Sequence, residues 1–291
     1  MKLIYPDTII WNLLCDQEVD PAAFVYQLNA KGYTLALSFH TVYELGRNFE
    51  TDDPSRIARG KKLLTYLKQY LDLGTPCTKE LWELIVAEAY AMENNLSAID
   101  PLATPEQCDI TKREVDLLAN GIVGEKVRPY IEERKKFAEE TRDAQNSHMA
   151  MSDELRNYLK AKSEKDLAGW MPGEVLTDSG TSLLWRRFVK KIRQVPVDYI
   201  RDLLQFSMAE ASRATVRADL YYNWHCAKHG AIRLDLLDDL LHVLQAMYCD
   251  LYVTEEKNHA VFAPLILASK TKSAIYPDRK TNIAQWILSL L

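Results

Sequence analysis

Strand-like segments occur only near the two ends of this chain, and that limits the folds open to it. "LIYPD" (3–7) and "YTLALS" (33–38) are short apolar runs near the start. The next such runs, "DLYVT" (250–254) and "SAIYP" (273–277), come more than two hundred residues later. Short runs rich in aromatic and β-branched residues, bounded by turn or helix-start residues, read as buried strands. Between the early runs the spacing is helical. Residues 21–31 look helical, 39–49 place Val42, Leu45 and Phe49 on one side, and 56–73 are strongly amphipathic. Strand–helix–strand–helix at this pitch argues for a parallel sheet. Parallel strands need crossovers, and one crossover can carry a large insert. The expected architecture is therefore an α/β/α core with a parallel sheet, built from residues 1–78 and 231–291. An all-helical insertion is expected over 79–230.

Within that insertion the periodicity predicts helices over 79–94, 111–118, 123–145, 152–168, 180–193 and 196–229. "DPLATPEQCD" (100–109) and "GWMPGEVLTDSG" (169–180) read as breakers between them. A last helix is expected over 281–291.

At 291 residues, 47% hydrophobic and 26% charged, the chain can bury a substantial core. Its net charge of −5 excludes a polycation, so nucleic-acid binding would need a local basic patch. The five cysteines are odd in number, and no pair has CxxC spacing. A disulfide framework and a cysteine-rich zinc site are not expected, and the expected location is the cytoplasm. The N-terminal apolar stretch is interrupted by Asp7, and runs such as "FAPLILA" are too short to span a bilayer, so no membrane partner is expected.

Sites in open parallel sheets form beyond the carboxyl ends of the strands. Asp7 stands at the end of the first run. Glu44 lies about a turn and a half into the helix after the second. Asp239 opens the helix before "DLYVT", and Glu255 and Glu256 follow that run. Asp7 also suits the N-cap of the helix that follows it, and Glu44 could pair with Arg47 on its own helix. Asp235 is an i,i+4 neighbour of Asp239. Asp250 lies at the opposite end of its strand, about 13 Å from the edge at ~3.3 Å per residue, and reads as a backbone-bonding residue. Carboxylates packed around one point repel unless a hard divalent cation such as Mg²⁺ or Mn²⁺ neutralises them.

"YPDTIIWNLL", "LSFHTVYEL" and "DLLHVLQAMYCDLYVTEEK" resemble the acidic motifs of PIN-domain nucleases. The third acid of that family lies about fifteen residues before a "-VT-" strand end, and the fourth lies two residues after its threonine. Asp239 and Thr254 are fifteen positions apart, and Glu256 follows Thr254 by two. At that fourth position the family more often has aspartate or asparagine, and glutamate reaches one methylene further. The resemblance covers roughly residues 1–75 and 231–291 and leaves the helical middle unexplained. It implies a metal-dependent nuclease, with RNA favoured over DNA. Asp7, Glu44, Asp239 and Glu256 would hold Mg²⁺ or Mn²⁺, with Glu255 and Asp235 in reserve and Thr254 and His242 in support. Many proteins of the family are dimers, though this sequence carries no interface signal.

The densest basic run is "WRRFVKKIR" (185–193). At helical pitch Arg186, Lys190 and Arg193 share a face, with Arg187 and Lys191 beside it. Trp185, Phe188 and Ile192 face inward. Such a face can meet phosphates, and it is equally the solvated side of an amphipathic helix. His225 and His229 are i,i+4 neighbours, and a helix end explains them better than zinc does. Three alternatives accompany the nuclease reading. One is a catalytically silent module whose helical region binds a protein partner. Another is a DNA-directed enzyme akin to 5′-nucleases, acting in defence. The third is an unrelated helical scaffold with scattered surface acids.

Overall fold

The computed structural model describes residues 1–133, 136, 153–229, 234–255, 259–267 and 271–291. Its centre is one all-parallel sheet of four short strands, β1 (Lys2–Pro6), β2 (Tyr33–Leu35), β3 (Leu251–Thr254) and β4 (Lys272–Ile275), in the order β2-β1-β3-β4. The two ends of the chain thus meet in the middle of the sheet. Ile4 pairs with Leu35 on one side and with Leu251 on the other. Asp250 accepts the Leu3 amide at 2.8 Å, which is the backbone-bonding role its position suggested.

Strand side chains alternate between faces, and each face has its own core. Ile4, Leu35, Leu251 and Val253 pack with α1 (Thr8–Asp16), α2 (Pro21–Ala30), α3 (Phe39–Gly46), α4 (Pro54–Asp72), α6 (Pro105–Ala119), α7 (127–133) and α15 (Ile283–Ser289). Leu3, Tyr5, Ala36 and Tyr252 pack with α5 (Leu81–Glu93) and with α8 (Asp153–Ala161), α9 (Glu164–Glu174), α10 (Asp178–Lys191), α11 (Val197–Gln205), α12 (Glu210–His229), α13 (Leu234–Gln245) and α14 (His259–Ile266). The helical middle therefore supplies helices to both faces of the sheet. Tyr5 and Tyr252 are fully buried side by side in the second core. Each such ring removes enough apolar surface from water to contribute about 2–3 kcal/mol.

Several helix boundaries differ from the sequence expectation: the helix expected over 152–168 is two, α8 and α9, parted at 162–163, and Asp239 lies in the middle of α13 instead of opening it. Pro105 does not break a helix; it opens α6, behind the capping box of Thr104 and Gln107. Proline suits a first helical position because that N–H has no intrahelical partner anyway. Pro172 lies within α9, which runs on to Glu174. The expected helix over 196–229 is two helices, because the chain turns at 206–209. Arg213 holds that turn by donating to the carbonyls of Leu204, Phe206 and Ser207. The last residues of the helix expected over 123–145 lie outside the described residues. Gly32, at φ +79°, ends α2 in the left-handed conformation, and its carbonyl accepts the Lys2 amide that starts β1.

Candidate metal centre

Asp7 follows directly on β1, and its amide donates to Val253 on β3 at 3.0 Å. The same residue N-caps α1, with Oδ1 accepting the Ile10 amide at 3.0 Å. A carboxylate retains further lone pairs after one such bond, so capping and a place at the edge are compatible. Asp7 is buried.

β2 leads to Ser38, which caps α3 by accepting the Thr41 amide at 3.2 Å. On α3, His40 and Glu44 are i,i+4 neighbours, and helical spacing stacks them on one face. Their Nε2 and Oε1 atoms lie 3.9 Å apart. Across the gap, α13 contributes His242, whose Nε2 is 2.6 Å from Glu44 Oε2. Thr8 donates its hydroxyl to Glu44 and lies 3.0 Å from His242 Nε2. The other His242 nitrogen, Nδ1, meets the Tyr5 hydroxyl at 3.0 Å, and that hydroxyl lies 2.6 Å from Ser38 Oγ. The rings of His40 and His242 are edge-on, 4.7 Å between centroids.

Electrostatics tie these groups together. Burial works against the charge of Glu44, but His242, His40 and the Thr8 hydroxyl outweigh it and hold the carboxyl well below its ordinary range. Burial likewise works against a charged His242. Glu44 overrides it, Asp7 and Asp239 add to the effect, and the imidazole is raised above its usual value. Asp7 and Asp239 also act together on the Tyr252 hydroxyl, which burial first of all pushes up. The charges of Asp7, Glu44 and Asp239 thus bear on a single side chain, although the residues come from three separate elements.

The other expected residues fall as follows. Arg47 does not pair with Glu44; it reaches Asp238 on α13 at 3.2 Å. Thr254 is buried at the end of β3 and hydrogen-bonds Tyr252 two residues earlier. Glu255 accepts two bonds from Arg279, at 2.9 and 3.1 Å. Glu256 and the side chain of Asp235 lie outside the described residues. On α10, Phe188 is buried and Trp185 partly so, which gives the expected inward face. Arg186, Arg187, Lys190, Lys191 and Arg193 are exposed. Two of the five join internal pairs: Arg187 with Asp219 at 2.6 Å, and Arg193 with Glu93 and, at 2.8 Å, with the Tyr199 hydroxyl.

Sequence reasoning missed Thr8, Tyr5 and His40. The signal for His40 was present in "HTVYE", a histidine four residues before the glutamate on a helix. Tyr5 and Thr8 flank the Pro6–Asp7 pair, and only the tertiary structure shows that both turn toward His242.

No family model, curated protein or solved structure matches this chain. All five cysteines are free thiols, four of them buried. Among the described residues no helix is long and apolar enough to cross a membrane.

Proposed function

We propose that this chain is a divalent-metal-dependent nuclease that hydrolyses phosphodiester bonds at the carboxyl edge of its sheet, with RNA the expected substrate ahead of DNA. The observation that supports the reading is the 2.6 Å contact of Glu44 with His242, between Asp7 at the end of β1 and α13, the helix that also carries Asp239. Carboxylates drawn to one point repel each other, and a divalent cation with oxygen ligands relieves that repulsion; among the described residues the ligand atoms already within 4.8 Å of one another are those of His40, Glu44 and His242, so Asp7 and Asp239 would close on Glu44 as the ion binds. Asp7, Glu44 and Asp239 would hold the ion, with Glu256 the fourth member of the motif. When bound, Mg²⁺ or Mn²⁺ supplies Lewis-acid stabilisation of a phosphoryl oxygen. The chain's own residues supply order. The Ile10 amide fixes Asp7, and Thr8 with His242 fixes Glu44. The exposed face of α10 would meet the substrate backbone through Arg186, Lys190 and Lys191.

A second reading, a silent module that binds a protein partner through its helical region, also has an observation in its favour. Two of the edge acids are already paired within the protein, Glu44 with His242 and Glu255 with Arg279.

The test is cleavage of labelled single-stranded RNA and DNA with Mn²⁺, Mg²⁺ or EDTA, alongside Asp7→Asn. The nuclease reading expects metal-dependent cutting that the variant loses. Equal cutting by the variant removes Asp7 from the mechanism. No cutting, together with no Mn²⁺ binding by calorimetry, favours the silent module.

A further inference from the structure

The acids of this edge do not stand alone. Two imidazoles share the carboxylate of Glu44, and a nitrogen-containing donor set selects a different ion from an all-oxygen one. We infer that the edge holds one first-row transition ion through His40 Nε2, Glu44 and His242 Nε2, and that it favours such an ion over Mg²⁺. The inference rests on reading this edge as a metal site, and it names the ion's class and two ligands that the acidic motif lacks.

The geometry carries it. One ligand atom from each of the three residues lies within 4.8 Å of the others. Donors at about 2.0–2.2 Å from a common ion lie roughly 3–4 Å from each other. His242 to Glu44, at 2.6 Å, lies just below that range, and His40 to Glu44, at 3.9 Å, lies within it. A small side-chain rotation brings the first into it. Two ligands come from one helix at i,i+4 and the third from a facing helix, so the set is tied to two packed elements.

The outer contacts agree. A ligating histidine must present one nitrogen to the ion and hydrogen-bond through the other, which fixes its tautomer and ring orientation. His242 does this: Nε2 faces Glu44 and Thr8, and Nδ1 faces the Tyr5 hydroxyl. Tyr5 is anchored in turn by Ser38, which lies 3.2 Å from the Thr41 hydroxyl. A buried chain of hydroxyls thus stands behind the ring on the side away from the carboxylate.

Ligand chemistry then chooses the ion. Imidazole suits the first-row transition metals, whereas Mg²⁺ is served by carboxylate, carbonyl and water oxygens. Two histidines with one carboxylate form a donor set that recurs in catalytic zinc and non-haem iron centres. Mn²⁺ tolerates both kinds of ligand, so it is the ion through which this inference and the acidic-motif reading can be compared directly.

The first experiment uses the unaltered protein loaded with Mn²⁺ and read by pulsed electron paramagnetic resonance. Coupling to two imidazole nitrogens supports the inference. Bound Mn²⁺ without nitrogen coupling overturns it and leaves the carboxylate-based nuclease standing. No bound Mn²⁺ overturns both. The second experiment measures Zn²⁺ affinity by equilibrium dialysis for the wild type, His40→Gln, His242→Gln and Tyr5→Phe. Loss of a histidine ligand is expected to cost at least about 100-fold, and Tyr5→Phe about 10–100-fold through ring orientation alone. Zn²⁺ binding that survives both histidine substitutions belongs elsewhere, for example to the adjacent rings of His225 and His229, 4.4 Å apart, and overturns the inference. Nitrogen coupling in a protein that cuts no RNA or DNA would retain the metal site and remove the nuclease.

Discussion

Two glutamates, Glu44 on α3 and Glu88 on α5, are both withdrawn from water, and their charges go opposite ways. Glu88 is fully buried among neutral donors: the amides of Ala211 and Ser212 at 2.5 and 2.9 Å, the Ser212 hydroxyl at 2.5 Å, and the Tyr248 hydroxyl. These donors lower its pKa and burial overrides them, so the carboxyl is pushed up to about 7. Glu44 has fewer bonds but faces two imidazoles, and it is held well below its ordinary range. Neutral hydrogen bonds, even at the N-terminal end of a helix such as α12, do not offset full burial here. A neighbouring group able to carry positive charge does. Glu88 is a joint that docks α12 against α5, whereas Glu44 remains an anion in a place where an anion can act.

The sharpest way to break this contrast is to neutralise each glutamate in turn. Glu44→Gln is expected to reduce metal-dependent cleavage by at least about 100-fold, and Glu88→Gln to leave the turnover number at the wild-type level. Equal losses in the two variants would mean that both act through stability alone.

Stability reads the contrast from the other side. Glu88→Ala strips four donors of their acceptor in a dry place and is expected to cost about 3 kcal/mol or more, measured as a shift in the urea midpoint. A smaller cost would mean that water enters the joint and replaces the carboxylate.

The same residue gives a pH signature. Its folded carboxyl keeps its proton to about pH 7, against 4.5 for an ordinary glutamate. Its contribution is therefore complete below about pH 4.5 and lost as the pH rises through about 7, a change of up to about 3 kcal/mol. Glu88→Gln should flatten that part of the stability profile. A variant whose midpoint falls with pH as steeply as the wild type would assign the slope elsewhere, for instance to Asp219, which burial pushes up to about 6 despite Arg187.

The smallest effect is expected at Glu255. Its bonds to the exposed Arg279 are open to water and salt. Arg279→Ala should leave the urea midpoint where it is, and a clear drop would show that this pair braces the end of β3.

Features governed by nearby residues were legible in the sequence. The four strands, the cap at Asp7 and the backbone bond of Asp250 follow from patterns a few residues long. Prolines were the local exception, since the same residue can open a helix or sit within one, and Pro105 and Pro172 were both read as breaks. The acids could be listed from their spacing relative to strand ends. What they would touch could not, because Glu44 and His242 are 198 positions apart and no local pattern couples them. The alternative partner for Glu44, Arg47, is only three residues away and turns instead to Asp238. Proximity along a helix suggested the wrong pair.

The strand order has a consequence for how this protein comes into being. β1 lies between β2 and β3, so β1 lacks its second neighbour until more than two hundred residues after β2 have been made. A ribosome delivers Asp7, His40 and Glu44 early and then adds nearly two hundred residues before Asp239 and His242 emerge. At about 5–20 residues per second, that interval is roughly 10–40 s. Throughout that interval the nascent polypeptide carries only half of this edge, and Glu44 has no His242 to meet until α13 is made.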